Sequence, residues 1–323
     1  MIHSRRPKSL LATLAATIAL LTVVVMPASA ITRGGEADDG RHPHVGQLLF
    51  YVPDYPASRY GPEDPGAWFT CTGTLTGPTL QFVVTAGHCT YAVGLDGQAT
   101  TETMNGRGGN DIWISFADQP NYDILEPSST FTSNAERYAQ WSTALNASDE
   151  WTRGTADSHP DYIDAAFFLA DLGAVVLEHA VDSGGRYATL PEEDQLDVLK
   201  PGKRTTFTTV GYGMNRSFPP GTPADIMLSE DSGLRMVAYP QLQRINVPGY
   251  TGDFAMMLSS NASTGGTCFG DSGGPNFLGD TDVLAGVTSF GLTYTCAGTS
   301  GVYRVDRADD LNWLEGTYGA YLP

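Results

Sequence analysis

Apolar residues along this chain fall in short runs broken by Gly, Pro, Asp and Asn, a spacing that predicts strands more often than helices. Val45 to Val52 is apolar and aromatic, and Thr72-Gly73-Thr74-Leu75 leads into Gly77-Pro78. Gln81-Phe82-Val83-Val84 then runs into Thr85-Ala86-Gly87-His88-Cys89. Many short strands with turn signals between them predict an all-β barrel or sandwich. Helix signals are few. The clearest closes the chain, where Asp306 is placed to cap a helix running through Leu311, Trp313 and Leu314 toward Gly316. No internal repeat at a solenoid period is present.

The first residues follow a different rule. Arg5, Arg6 and Lys8 precede an apolar run from Leu10 to Val25, and Ala28-Ser29-Ala30 supplies small residues for cleavage. Residues 1–30 therefore read as a secretory signal and 31–323 as the exported protein. The apolar run is short for a membrane span, so an extracellular protein without membrane contact is expected. Lys and Arg number 18 against 36 Asp and Glu, and removing the signal leaves 15 against 36, a net charge of −21. That acidity argues against nucleic acid or an anionic membrane as partner. Hydrophobic residues make up 41% of the chain, enough for a sizeable core. Four cysteines in an exported chain predict two disulfides, with three pairings open on count alone.

Candidate chemistry concentrates at Cys268-Phe269-Gly270-Asp271-Ser272-Gly273-Gly274-Pro275. A serine hydroxyl needs a base beside it and donors for the oxyanion that forms. Glycines flanking Ser272 permit a sharp turn, and the N–H groups of Gly270 and Ser272 can then point at one spot. Gly270 to Pro275 resembles the nucleophile motif of the chymotrypsin/trypsin-like serine proteases, and Thr85 to Cys89 resembles that family's histidine motif. The resemblance implies one domain of two six-stranded antiparallel β-barrels with a short C-terminal helix and a catalytic site in the cleft between lobes. It implies Ser272 as nucleophile and His88 as general base. Asp171, followed by the apolar run Leu172 to Leu177, resembles the family's third member. Asp164 is its rival; Asp171 is favoured because its run is β-branched and ends in Glu178-His179-Ala180-Val181. His42, His44, His159 and His179 lack such context and read as structural imidazoles.

The same resemblance assigns further roles. Ile31-Thr32-Arg33-Gly34-Gly35-Glu36-Ala37 is similar to the family's activated N-terminus, with Arg33 where the family has glycine. The Ile31 amine would then pair with Asp271. Cys71 would pair with Cys89 and Cys268 with Cys296, each within one lobe. The shorter loop is worth roughly 3 kcal/mol on the chain-entropy account. Ser289-Phe290-Gly291 would pair with extended substrate by main chain, and the Ser289 hydroxyl would support the triad aspartate. Gly266 would floor the primary pocket beside Thr267, with Gly291 and Gly301 as walls. Such a slot carries no charge and is open to a large apolar or aromatic ring.

Residues 91–161 read as elaborated surface loops on the first lobe, with acids that show no calcium-ligand spacing. Asn146, Asn215 and Asn261 begin glycosylation-type triplets. The long leader and short N-terminus resemble those of secreted actinobacterial trypsin-like proteins. The function implied is peptide-bond hydrolysis through an acyl-enzyme by a monomer, without metal or organic cofactor. Its partners would be protein or peptide substrates and protein inhibitors. A catalytically silent binding module on the same fold, or an esterase, are the alternatives.

Overall fold

Strands pair as the apolar runs require. The computed structural model describes residues 34–56, 59–94, 108–214, 233–293 and 295–323. In the first lobe, β2 (Val45–Val52), β3 (Ala67–Leu75), β4 (Phe82–Thr85), β5 (Ile112–Ser115), β6 (Thr152–Ser158) and β7 (Gly173–Leu177) form a closed barrel. Its order is β2-β3-β4-β7-β6-β5, antiparallel throughout. Strand alternation divides the apolar residues into two layers. Leu48, Phe50, Ile112 and Ile114 fill the barrel with Leu75 and Val83. Leu49, Tyr51 and Trp113 point the other way, into a second layer with Trp68, Trp141 and Trp151.

The second lobe is one rolled sheet in the order β1-β9-β8-β12-β13-β14-β11-β10. Its strands are β1 (Glu36–Ala37), β8 (Phe207–Gly211), β9 (Met236–Ala238), β10 (Leu242–Val247), β11 (Gly252–Ser260), β12 (Pro275–Leu278), β13 (Leu284–Gly291) and β14 (Gly298–Arg304). Pro240 separates β9 from β10, and here the roll closes. Phe207 N–H donates to the Pro240 carbonyl and Leu242 N–H to that of Thr205, each at 2.9 Å. Six strands thus surround the Phe207, Met256, Leu258 and Val302 core, while β1 and β9 extend the sheet beyond them. Both expected disulfides are present, Cys71–Cys89 and Cys268–Cys296.

Two local expectations change. Residues 91–161 are more than loops: they supply β5, β6 and the helix α1 (Asn134–Asn146). The Ser133 hydroxyl oxygen accepts from Glu136 N–H at 3.2 Å, and Glu136 Oε2 accepts from Thr132 N–H at 3.0 Å. That reciprocal cap is a Ser-x-x-Glu signal legible in the sequence but overlooked. The C-terminal helix α2 (Ala308–Tyr318) begins after Arg307, so Asp306 does not cap it. Asp306 is instead buried, bonded to Arg304 through two 2.8 Å contacts and to Leu196 N–H at 2.8 Å. A buried cation holds that carboxylate more firmly than a helix terminus would.

Because Ser133 satisfies an otherwise orphan amide of α1, Ser133→Ala should remove about 1 kcal/mol. Thermal denaturation should show a midpoint lower by about 2–4 °C with the folded spectrum unchanged.

Candidate active site

His88 lies in a single 3₁₀ turn, Gly87–Cys89, that follows β4 directly. Cys89 bonds to Cys71 of β3, so the turn is fixed to the barrel wall. Strand β7 pairs with β4 up to Thr85 and Gly173, which brings Asp171 alongside the histidine. His88 N–H donates to Asp171 Oδ1 at 3.0 Å, and ring Nδ1 lies 3.0 and 2.9 Å from its two carboxylate oxygens. From the other lobe, the Ser289 hydroxyl donates to Asp171 Oδ2 at 2.5 Å. Asp171 is wholly buried. Burial pushes the His88 pKa down, but the Asp171 carboxylate outweighs it and the result is raised above 6.5. With the proton on Nδ1 directed at Asp171, Nε2 keeps its lone pair for a substrate-side proton.

Asp164 is excluded as the orienting acid. It begins the turn Asp164–Leu169, where the Tyr162 hydroxyl reaches it at 3.5 Å, and it adds only a weaker field at His88. The same turn supplies a group that the sequence reading missed. Phe167 stands edge-on to the His88 ring at 5.7 Å, and Phe168 links it to Phe254 and Phe290 at 6.3 and 6.4 Å. Its sequence signal was the paired phenylalanines after Asp164.

Main-chain bonds seat the nucleophile loop against the histidine lobe. Thr72 N–H donates to the Ser272 carbonyl at 2.7 Å, and the Thr85 hydroxyl donates to Thr72 C=O at 2.9 Å. Gly273 has φ +76°, and a Cβ there would strike Thr85 and Thr72, so only glycine fits. Among the described residues the Ser272 hydroxyl makes no hydrogen bond, and the N–H groups of Gly270 and Ser272 are also untaken. Gly270 has φ +95°, and a Cβ there would sit 2.9 Å from Gly213 Cα. Two unengaged amides beside an unengaged hydroxyl are what acyl transfer requires, and such contacts tighten when substrate arrives.

Asp271 points away from this cleft. It is buried, accepting from Cys268 N–H and Gly213 N–H at 2.8 Å each. Burial outweighs those two amides and raises its pKa to about 7. No cation stands beside it among the described residues; Ile31, its expected partner, lies outside them.

The primary pocket needs one correction. Register pairs Gly291 with Ser300 and Phe290 with Gly301. Neighbours along a strand face opposite sides, and Ser300 Oγ accepts from Thr267 N–H at 3.3 Å. Ser300 therefore packs directly against the Thr267 backbone. Gly301 lies on the opposite face, covered by the Phe290 ring. Gly266 is backed closely by the buried Ser260, whose hydroxyl donates to Cys296 C=O at 2.7 Å. Gly291 alone is open, with only Thr293 O at 3.7 Å from a hypothetical Cβ. None of Gly266, Thr267, Gly291 and Ser300 carries a charge. Beyond Thr288, Ser289–Gly291 runs past its last bonds to the nucleophile loop.

Among the described residues, the one grouping of metal-type ligands is Cys71, Cys89 and His88, and both sulfurs are consumed by the disulfide.

A hydrogen-bonded serine–aspartate–histidine chain beside a glycine-flanked serine, between two β lobes, defines the class as a chymotrypsin-like fold with serine-hydrolase furniture. Residues 131–311 match the trypsin family model, described as Trypsin, and the chain belongs to that family. The matched span includes Asp171 and Ser272. Among solved structures, HL collagenase is similar with a TM-score of 0.58 and 16% identity, covering 90% of this chain and 98% of its own. Human heparin binding protein is similar with a TM-score of 0.53 and 16% identity, covering 88% and 95%. At such identities these two show the fold alone.

Asp271 yields a test of the buried acid. Its folded pKa of about 7 stands above the ordinary 3.8, so an unpaired Asp271 favours the fold at low pH. That advantage is lost as pH rises from 3.8 through 7. A chain that retains residues 1–30 should lose thermal stability over that window. A chain beginning at Ile31 should lose less, because its amine would hold the carboxylate ionised. Parallel melts of the two forms, with Asp271→Asn flattening the difference, check this.

Proposed function

We propose that this trypsin-family chain is a secreted serine endopeptidase that hydrolyses peptide bonds through an acyl-enzyme. Ser272 attacks the carbonyl, His88 takes its proton through Nε2 and returns it to the leaving amine, and Asp171 holds the imidazole and stabilises its cation. The N–H groups of Gly270 and Ser272 receive the oxyanion. A free amine at Ile31 pairs with Asp271, so removal of residues 1–30 is also the activating cut. The observation that carries this reading is the Ser289–Asp171–His88 chain of hydrogen bonds, which spans both lobes beside the Ser272 loop. A silent binding module on the same fold is disfavoured. The described residues keep every member of the triad, and the net charge of −18 opposes a polyanionic ligand of the kind named for the heparin-binding neighbour. An esterase would use the same acyl transfer, so a protein substrate such as casein separates the two.

Ser272→Ala and His88→Ala should each cut casein hydrolysis by several orders of magnitude while circular dichroism stays native. A serine-directed organophosphonate should label the unsubstituted protein at Ser272 only. Casein activity surviving intact in Ser272→Ala would refute the mechanism.

Cleavage is proposed after large apolar or aromatic residues. Gly266, Thr267, Gly291 and Ser300 bring no carboxylate to the slot, and an unpaired buried cation is costly there. Burying a Phe or Leu side chain gains about 1.5–3 kcal/mol, which converts to roughly 10- to 100-fold in kcat/KM. Exposed Phe168, in ring contact with the half-buried Phe290, extends the apolar surface nearby. Matched peptides ending in Phe, Leu, Lys or Arg should rank Phe and Leu first; a preference for Lys or Arg would contradict the pocket described.

A further inference from the structure

The second lobe carries an open groove of about 710 Å³ that the catalytic reading does not use. It lies on the outer face of β10, β11 and β14. Ser259 and Thr299 pair across β11 and β14 and line it, whereas their neighbours Ser260 and Ser300 point to the slot side of the same strands. The turn from Lys200 to Arg204 supplies a further part of the lining. The Thr205 hydroxyl donates to the Lys200 carbonyl at 2.7 Å, and Gly202 N–H donates to that of Leu242 at 2.9 Å, so the turn is fixed to β10. A break in register between Leu242 and Arg244 places both Gln243 and Arg244 on the groove. Tyr250, 55% exposed, adds an aromatic ring.

The charge of the groove is opposite to that of the protein. The chain has a net charge of −18, yet no Asp or Glu lines the groove, and Lys203 and Arg244 both do. Lys200 and Arg204 stand exposed on the same turn. Among the described residues, Arg41, Arg153, Arg186, Arg235, Arg304 and Arg307 are each ion-paired to a carboxylate. Lys200, Lys203, Arg204 and Arg244 meet none there. Four cations without an acid partner are thus gathered on one surface. Arg244 is also held in place: its Nη1 donates to the Gln243 carbonyl at 2.7 Å, and its Nε and Nη2 make no hydrogen bond among the described residues. The Gln241 side-chain amide is likewise uncommitted there, and such an amide matches both the N–H and the C=O of a peptide unit.

We propose that this groove binds a short acidic peptide segment of another protein, with Lys203 and Arg244 receiving its carboxylates and Gln241 its backbone. A volume of about 710 Å³ exceeds what a single ion fills and suits a ligand of a few residues. The cationic surface is also local. Exposed charges more than about 8 Å apart are largely screened at physiological ionic strength. A short segment therefore feels the four cations, whereas a long polyanion would run onto the acidic surface around them. The groove lies across β11 and β14 from the Thr267 slot, so the proposal is independent of the hydrolase reading.

The probe is a fluorescein-labelled, end-capped Glu-Ser-Glu-Ser-Glu peptide, with its Gln-for-Glu counterpart as control; neither offers an apolar residue for cleavage. Fluorescence anisotropy with the full chain should show saturable binding of the acidic peptide, weakening as salt is raised, and none of the control. Reversing both cations, Lys203→Glu with Arg244→Glu, should weaken binding by about tenfold. Both side chains are exposed and make no ion pair among the described residues, so circular dichroism should stay native. Should the double variant not fold, Lys203→Gln and Arg244→Gln made singly decide, each being expected to weaken binding. No saturable binding by the unsubstituted protein, or undiminished binding by the substituted ones, would overturn the proposal. So would displacement of the peptide by a heparin hexasaccharide at lower concentration than by unlabelled peptide, which would make the ligand a sulfated sugar.

Discussion

Everything at the cleft depends on satisfying the buried Asp171 carboxylate with no water in contact. A charge so buried is tolerated only when hydrogen bonds replace its hydration. The donors are the His88 backbone and ring from the first lobe and the Ser289 hydroxyl from the second. Neither lobe can shift without stripping a donor from a buried anion. One interaction therefore fixes the imidazole and sets the registry of the two lobes, which leaves Ser289–Gly291 beside the histidine.

A second buried charge performs the same service behind the nucleophile. Arg235 is 2% exposed and spans Asp38, the carbonyls of Val45 and Phe116, and the Tyr212 hydroxyl. Burial alone would raise the Asp38 pKa, but bonds from His42 and Arg235 hold it far below the usual carboxylate range. Tyr212 is followed by Gly213, whose N–H donates to Asp271. The segment after residue 34 is thus tied to the support of the Ser272 loop. Asp38 and Asp171 are compensated within the described residues, whereas Asp271 and Arg137 are not.

Much of this protein follows from local sequence. Short apolar runs with Gly, Pro and Asp between them specify strands, because period-2 burial and turn chemistry act over a few residues. The glycines around Ser272 and the Gly87-His88-Cys89 turn were legible because positive φ and close backbone approach admit few alternatives. Tertiary structure decided the rest. Asp164 and Asp171 have similar local surroundings, and only the pairing of β7 with β4 puts Asp171 at the ring. Ser300 and Gly301 are adjacent, and a strand register settled by the irregularity between Thr288 and Phe290 chose which faces Thr267. Asp306 became a partner for Arg304 because a buried cation competes better than a helix end. Arg137 and Trp141 look like ordinary helix residues until β2 and β3 close over them. Spacing along the chain fixes which backbone shapes can form; which charges end up buried together depends on contacts between residues far apart in it, and no local pattern encodes those.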